Sequence, residues 1–332
     1  MIIHLPKNIS HASAQAYAES VGALCLEKSD YFVLITNHAV KQLPAELQDV
    51  ATEHWTFATD MQLSSREYHP DTHRIAIGDT YIGGDGNNQL MIAGPCAIES
   101  REQIEQSCQM LKQHGIRVLR AGCYKPRTSP YTFRGLGEDG LKLLAEMREK
   151  YGLLIATEMR DATHADQVVE YADIVQVGAK AMYDHGLLTA AGQSGKPVIL
   201  KRGFGSTLQE LVNCADFIMS CGNDQVILCE RGIRSFETNT RFTLDLCGVA
   251  WLKQHCNLPI ILDPSHAMGY AYGIGDLARA CTAMGIDGLL IETHPCPQCA
   301  QSDAPQQLNH QQFSEMYTSL KPIAQAIGKT LI

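Results

Sequence analysis

Residues 197–203 read PVILKRG, an apolar run that turns abruptly to Lys201 and Arg202. The same grammar returns at QVILCERG (225–232), PIILDPSH (259–266) and GLLIETHP (288–295), and upstream at LMIAG (90–94), RVLRAG (117–122), LLIATE (153–158) and DIVQVG (173–178). Within each run polarity does not alternate, as expected of parallel strands covered on both faces. Helix-like segments lie between them, for instance at 101–114, 140–151, 162–171, 207–220, 240–254 and 275–284. Eight such βα units predict a (β/α)8 TIM barrel over residues 90–332, close to the usual size of that fold; an open doubly wound sheet needs fewer strands.

The amino-terminal residues follow another pattern. Over 1–70, strands at IIHLP, ALCLEK, YFVLITN and HWTFATD, with helices near 12–21 and 43–51, predict a small ferredoxin-like α+β domain of β-α-β-β-α-β order. Residues 71–89 then read as a linker and a hairpin, HRIAIGD and TYIGG, closing the bottom of the barrel.

Composition narrows the class. With 45% hydrophobic and 19% charged residues, the 332-residue chain falls among globular proteins. A net charge of −9 argues against nucleic acid or an anionic membrane as partner, so any anionic ligand needs a local cluster of cations. No apolar run approaches the ~20 residues of a membrane span. The twelve cysteines are scattered, and the opening MIIHLPKNIS has no basic region followed by an apolar one. Together these predict a cytoplasmic protein with reduced thiols.

In a barrel, reacting groups gather where strands end. Arg120, Lys125, Arg127, Lys180, Lys201 and Arg231 all fall there, which suits a multiply charged, phosphorylated substrate. The plainer alternative is that some of them pair with Glu158, Glu230 or Asp263. Cys96, His266, Glu292 and Asp303 follow the first, seventh and eighth strands, and their donor types suit a divalent cation such as Mn, Fe, Co or Zn. Taken singly, Cys96 is as readily a buried small residue and His266 a hydrogen-bonded loop histidine. Lys201 at a strand end also allows a Schiff-base aldolase, although Arg202 and the metal-type set beside it favour a phosphate site.

The segments AGPCAIES, LRAGCYKPRTSPYTFRGLGEDGLKLL, KPVILKRGF, VILCERGIRSFETNTRFTLDL, LPIILDPSHAMG, LLIETHP and QSDAPQQL closely resemble the 3-deoxy-D-arabino-heptulosonate 7-phosphate (DAHP) synthases, in the type I beta branch related to 3-deoxy-octulosonate 8-phosphate synthase. The resemblance implies a metal-dependent condensation of phosphoenolpyruvate, erythrose 4-phosphate and water to DAHP and phosphate, the first step of the shikimate pathway. By it, Cys96, His266, Glu292 and Asp303 are metal ligands. Arg120, Lys125, Lys180, Lys201 and Arg231 bind phosphoenolpyruvate, and Pro126, Arg127 and Thr128 bind erythrose 4-phosphate. Lys125, among cations that should depress its pKa, is the expected proton donor, with His266 assisting. KPRT puts arabinose 5-phosphate second as the aldehyde. The resemblance further implies a homo-oligomer, tetramer or dimer, and an amino-terminal regulatory lid through which Tyr or Phe act as feedback inhibitors.

Two departures stand out. Lys180 occupies the place of a family Arg, which keeps charge but loses the bidentate fork, so weaker phosphoenolpyruvate binding follows, and a non-catalytic paralogue that only binds it becomes a rival reading. CPQC, residues 296–299, falls between Glu292 and Asp303; such a spacing suits a redox pair or half of a zinc site, no second CxxC completes the latter, and the plainer reading is a chance pair, although beside a thiolate-ligated metal it would make the enzyme oxidation-sensitive.

Overall fold

The computed structural model describes residues 1–84, 86–125, 129 and 131–332. Strands β1 (Ile2–Pro6), β2 (Leu24–Glu27), β3 (Tyr31–Ile35) and β4 (Glu53–Trp55) form an antiparallel sheet in the order β2-β3-β1-β4, with helix α1 (His11–Ser20) between β1 and β2. Met1, Ile3, Leu5, Phe32 and Leu34 bury one face of this sheet against Ala14 and Ala18 of α1. The helix expected near 43–51 shrinks to a single 3-10 turn, Ala45–Leu47. Leu47 alone is buried on that turn, and Pro44 keeps Leu43 before it out of the helical region.

A hairpin, β5 (Arg74–Ile77) and β6 (Thr80–Gly83), leads into the barrel. Among the described residues, β7 (Asn88–Gly94), β8 (Val118–Arg120), β9 (Leu154–Met159), β10 (Ile174–Val177), β11 (Val198–Lys201), β12 (Val226–Glu230), β13 (Ile260–Leu262) and β14 (Gly288–Glu292) pair in parallel. The β14 to β7 pairing closes a (β/α)8 TIM barrel. Its helices are α2 (Arg101–Gln113), α3 (Glu138–Tyr151), α4 (Ala165–Tyr171), α5 (His185–Gln193), α6 (Leu208–Ser220), α7 (Leu246–His255), the short α8 (Pro264–Met268), α9 (Ala271–Ala283) and α10 (His310–Ala326). A last strand, β15 (Thr330–Leu331), joins β7 at its start. The helix expected over 240–254 begins only after Asp245, whose carboxylate caps the Gly248 N–H at 2.7 Å.

Leu90, Ile92, Val118, Ala156, Ile174, Ile199, Ile227, Ile261 and Leu290 point into the barrel, and Ile75, Ile77 and Ile82 of the hairpin plug it from below. Because strand side chains alternate, the residue two places on from each inward apolar group also faces inward. Val118 is thus followed by Arg120, Ala156 by Glu158, Ile199 by Lys201, Ile261 by Asp263 and Leu290 by Glu292. The dry core becomes a charged floor at the carboxyl ends of the strands.

The amino-terminal module docks at the opposite end. Asp216 on α6 accepts the backbone N–H groups of Gln62, Leu63 and Ser64 at 2.7–3.2 Å, Asn257 donates to Leu63 and Ser65, and Lys28 pairs with Asp224. Asp224 and Asn257 precede β12 and β13, so the module does not cover the mouth of its own barrel. Asp224 and Asn257 offer these contacts just before the strands begin, and Asp216 offers its own from α6.

Candidate active site

A cleft of about 610 Å3, open to solvent, lies over the carboxyl ends of the strands, lined among others by Lys125, Glu158, Lys180, Lys201, Arg231 and His266. Gly94, at φ +147°, permits the approach of β7 and β8 beneath it, since a Cβ there would lie 2.2 Å from the Arg120 carbonyl oxygen. Likewise a Cβ on Gly178 would lie 2.4 Å from the Glu158 carboxylate.

Two of the cations are held by acids. Arg120 is buried and donates from Nη1 to Glu292 Oε1 and to the Pro95 carbonyl, both at 2.8 Å, leaving its Nε without a hydrogen bond. Lys201 Nζ donates to Asp263 Oδ2 at 2.6 Å. Arg202 turns away into a buried network with Glu230 and Asp245, each at 2.8 Å. Arg231 is 2% exposed, its Nε also unpaired, and its guanidinium lies 4.2 Å from the Phe242 ring centre and 5.0 Å from that of Phe204. Lys180 sits exposed on the turn Ala179–Ala181 and reaches the same cleft.

On one wall stand the metal-type donors. One ligand atom each of Cys96, Glu292 and Asp303 lies within 4.8 Å of the others. His266 Nε2 is 3.5 Å from Glu292 Oε1 and 3.9 Å from Asp303 Oδ2, and Cys96 Sγ is 3.4 Å from Asp303 Oδ2. A four-coordinate ion with bonds of about 2.0–2.3 Å separates its ligands by roughly 3.3–3.8 Å, so the donor set fits a divalent transition metal. His266 Nδ1 lies 2.6 Å from Asp263 Oδ2, the carboxylate–histidine arrangement that fixes a ligating imidazole. Gln306 donates to Glu292 Oε2 at 2.6 Å. Among the described residues Asp303 is the one non-glycine residue with positive φ, at 50°. Such strain costs on the order of 1 kcal/mol and persists where the surroundings fix a functional group.

Burial, with Glu292 adding to it, pushes the Cys96 thiol up to about 12, so a metal must displace its proton. Burial would raise Asp303 and Glu292, yet His266 and the cations around them hold Asp303 down to about 2 and Glu292 below the usual carboxylate range. His266 is lowered by burial, against the pull of Asp263 and Glu292. The expected depression of Lys125 is corrected. Burial does lower it, but Cys96, Glu158 and Glu292 outweigh both burial and Arg120, and Lys125 ends above the ordinary lysine value.

Pro126, Arg127 and Thr128 lie outside the described residues. Arg241 was not anticipated: it lines the cleft, donates to Gln306 at 2.5 Å and lies 3.8 Å from Asp303 Oδ1. It stands in the long loop before α7, where no strand register announces a direction; only its place within the segment quoted for the family resemblance pointed to it. Cys296 and Cys299 stand on one turn with their Cα atoms 5.4 Å apart and their sulfurs placed as a disulfide.

Fold and cleft together define a (β/α)8-barrel enzyme with a cationic mouth. The model of the DAHP synthetase I family matches residues 60–328. A phospho-2-dehydro-3-deoxyheptonate aldolase of Thermotoga maritima is 45% identical over 267 residues, covering 80% of this chain and 78% of that protein. A 2-dehydro-3-deoxyphosphooctonate aldolase of Magnetococcus marinus is 32% identical over 270 residues, 76% of this chain and 93% of that one. The crystal structure of the Thermotoga maritima phospho-2-dehydro-3-deoxyheptonate aldolase (DAHP synthase) matches with a TM-score of 0.81 at 38% identity, covering 100% of this chain and 99% of that one. The chain belongs to the DAHP synthetase I family.

Proposed function

We propose that the chain condenses phosphoenolpyruvate with erythrose 4-phosphate and water to give DAHP and inorganic phosphate, at the entrance to aromatic amino acid biosynthesis. The observation that carries this reading is the convergence of Lys125, Lys180, Lys201 and Arg231 on a cleft whose wall holds Cys96, His266, Glu292 and Asp303. Arg120, Lys180, Lys201 and Arg231 would hold the phosphate and carboxylate of phosphoenolpyruvate. A divalent cation on the four donors would supply Lewis-acid polarisation of the aldehyde oxygen. As C3 of the enol attacks the aldehyde carbon, Lys125, half-buried and with its pKa raised by Cys96, Glu158 and Glu292, would give a proton to the new alkoxide. Water then adds at C2, and the fixed cations stabilise the departing phosphate. Pro126, Arg127 and Thr128 are assigned to the phosphate of the aldehyde by family resemblance.

The same reading makes the protein a cytoplasmic homo-oligomer whose amino-terminal module takes Tyr or Phe. No helix among the described residues is long and apolar enough to cross a membrane. Since the module sits at the far end of the barrel, inhibition would reach the cleft through the barrel or from another copy.

The test is phosphate release from phosphoenolpyruvate. Release that requires erythrose 4-phosphate, stops with a chelator and returns with Mn2+ is expected. Preference for arabinose 5-phosphate would favour the octulosonate reaction, chelator-resistant turnover trapped by borohydride would favour a Lys201 aldolase, and no release would leave a binding protein.

A further inference from the structure

Cys296 and Cys299 flank a 3-10 turn in the loop between β14 and α10. Their sulfurs are bonded to each other, while Cys25, Cys96 and Cys247 are among the cysteines that stay free. Cys296 is half-buried and Cys299 exposed, so a thiol from solution can reach the bond. The loop leaves the barrel at Glu292 and returns at Asp303, two members of the metal-type donor set. Glu99, from the loop that also carries Cys96, ties both sides of the turn. Its Oε1 accepts the Gln301 N–H at 2.9 Å, and its Oε2 lies 3.5 Å from His294 Nε2. His294 Nδ1 in turn accepts the Cys296 N–H at 3.0 Å. Past Gln301, Ser302 Oγ lies 3.0 Å from Cys96 Sγ, and Asp303 adopts the strained left-handed backbone. A residue in that conformation keeps it only while its surroundings hold it there, and the nearest covalent cross-link on the returning loop is the Cys296–Cys299 bond.

We propose that Cys296 and Cys299 form a reversible dithiol–disulfide site, exchanging with small-molecule or protein dithiols, whose closed state holds Ser302 and Asp303 in place for the metal. In the opening step a thiolate of the external dithiol attacks one sulfur of the pair and forms a mixed disulfide, and its second thiol then displaces the protein sulfur. Cys296 and Cys299 gain two electrons and two protons, and the reductant leaves as its own disulfide; closure is the reverse, driven by an external disulfide. This rests on Cys96, His266, Glu292 and Asp303 being the metal site. Outer supports of metal ligands typically alter affinity by 10–100-fold, so opening the pair should weaken Mn2+ binding by roughly tenfold.

The full chain is equilibrated in buffers of reduced and oxidised dithiothreitol, a portion alkylated for peptide mass, and the rest desalted and titrated with Mn2+ by calorimetry. The expected result is a peptide carrying both cysteines that passes from unalkylated to doubly alkylated, with Mn2+ affinity falling in step. The Cys296→Ser/Cys299→Ser double variant should bind at the weaker level in every buffer, which separates the pair from oxidation of Cys96. A pair that stays reduced in the most oxidising buffer overturns the proposal by peptide mass alone, whatever the variant does. Wild-type affinity that responds to the buffer no more than the variant's also overturns it. Mn2+ that binds in neither state defeats the metal reading and the coupling with it, whereas equal binding in both states leaves the metal reading standing and removes only the coupling.

Discussion

Arg231 shows how a single side chain is made ready for an anion. It is buried, its Nε has no hydrogen bond, and its Nη1 reaches only the Gly232 carbonyl, at 3.4 Å. What positions it is a pair of rings: Phe204 and Phe242 lie 5.1 Å apart and nearly parallel, with the guanidinium over both. Burial lowers its pKa from the usual value, so the site carries an under-solvated cation waiting for a counter-ion. Lys180 offers only a point charge on the same cleft, which places more of the grip on Arg231. A desolvated cation–π contact contributes about 1–2 kcal/mol. Phe242→Ala should therefore raise KM for phosphoenolpyruvate by roughly tenfold with a smaller change in kcat, and Phe242→Tyr should restore it. Steady-state kinetics with saturating erythrose 4-phosphate decide this; an unchanged KM in the alanine variant removes the rings from substrate binding.

At the scale of elements, the strands were legible because four or five apolar residues ending in charge is what a parallel barrel strand must look like. The inward direction of Arg120, Lys201, Asp263 and Glu292 follows from the same register. Arg241 and the docking of the amino-terminal module were not legible, since both depend on contacts between segments distant in sequence. The module meets the barrel across a cavity lined by His4, Lys28, Tyr31, Glu53, Trp55, Tyr68, His69, His73 and Asp224. His4 stacks on Tyr31 at 4.1 Å, bonds the Tyr68 hydroxyl at 2.8 Å and lies 3.5 Å from Glu53. Burial lowers the pKa of both His4 and His73 from the ordinary 6.5, with Glu53 opposing at His4 and Asp224 at His73. The unfolded chain then binds more protons than the folded one just below pH 6.5, so stability is fully present above that pH and falls as the solution is acidified toward the folded pKa values. Denaturant midpoints at pH 7.5 and 5.5 should show the loss, and His4→Gln with His73→Gln should flatten it. Equal pH slopes for the wild type and the double variant would place the sensitivity elsewhere.

For the whole molecule, the decisive contrast is between a surface of net charge −9 and a mouth where Lys125, Lys180, Lys201, Arg231 and Arg241 converge. A cleft with low-dielectric walls focuses such a field outward, whereas the acidic remainder repels anions approaching from other sides. Arg120 and Lys201 are buried and committed to Glu292 and Asp263, so the pull on a phosphorylated substrate in solution comes mainly from the exposed Lys180 and, beside it at the rim, from Arg241, whose contact with Asp303 is a looser 3.8 Å. Exposed charges are screened beyond about 10 Å at 0.1 M salt and about 3 Å at 1 M, while buried contacts are screened far less. Raising KCl from about 0.05 M to about 0.5 M should thus raise KM for phosphoenolpyruvate several-fold and leave kcat nearly constant, because the salt acts on capture and not on the buried groups that meet the reacting atoms. Lys180→Gln and Arg241→Gln should each raise KM at low salt and reduce its salt dependence. If both variants kept the wild-type salt slope, the field that gathers substrate would have to arise elsewhere on the mouth.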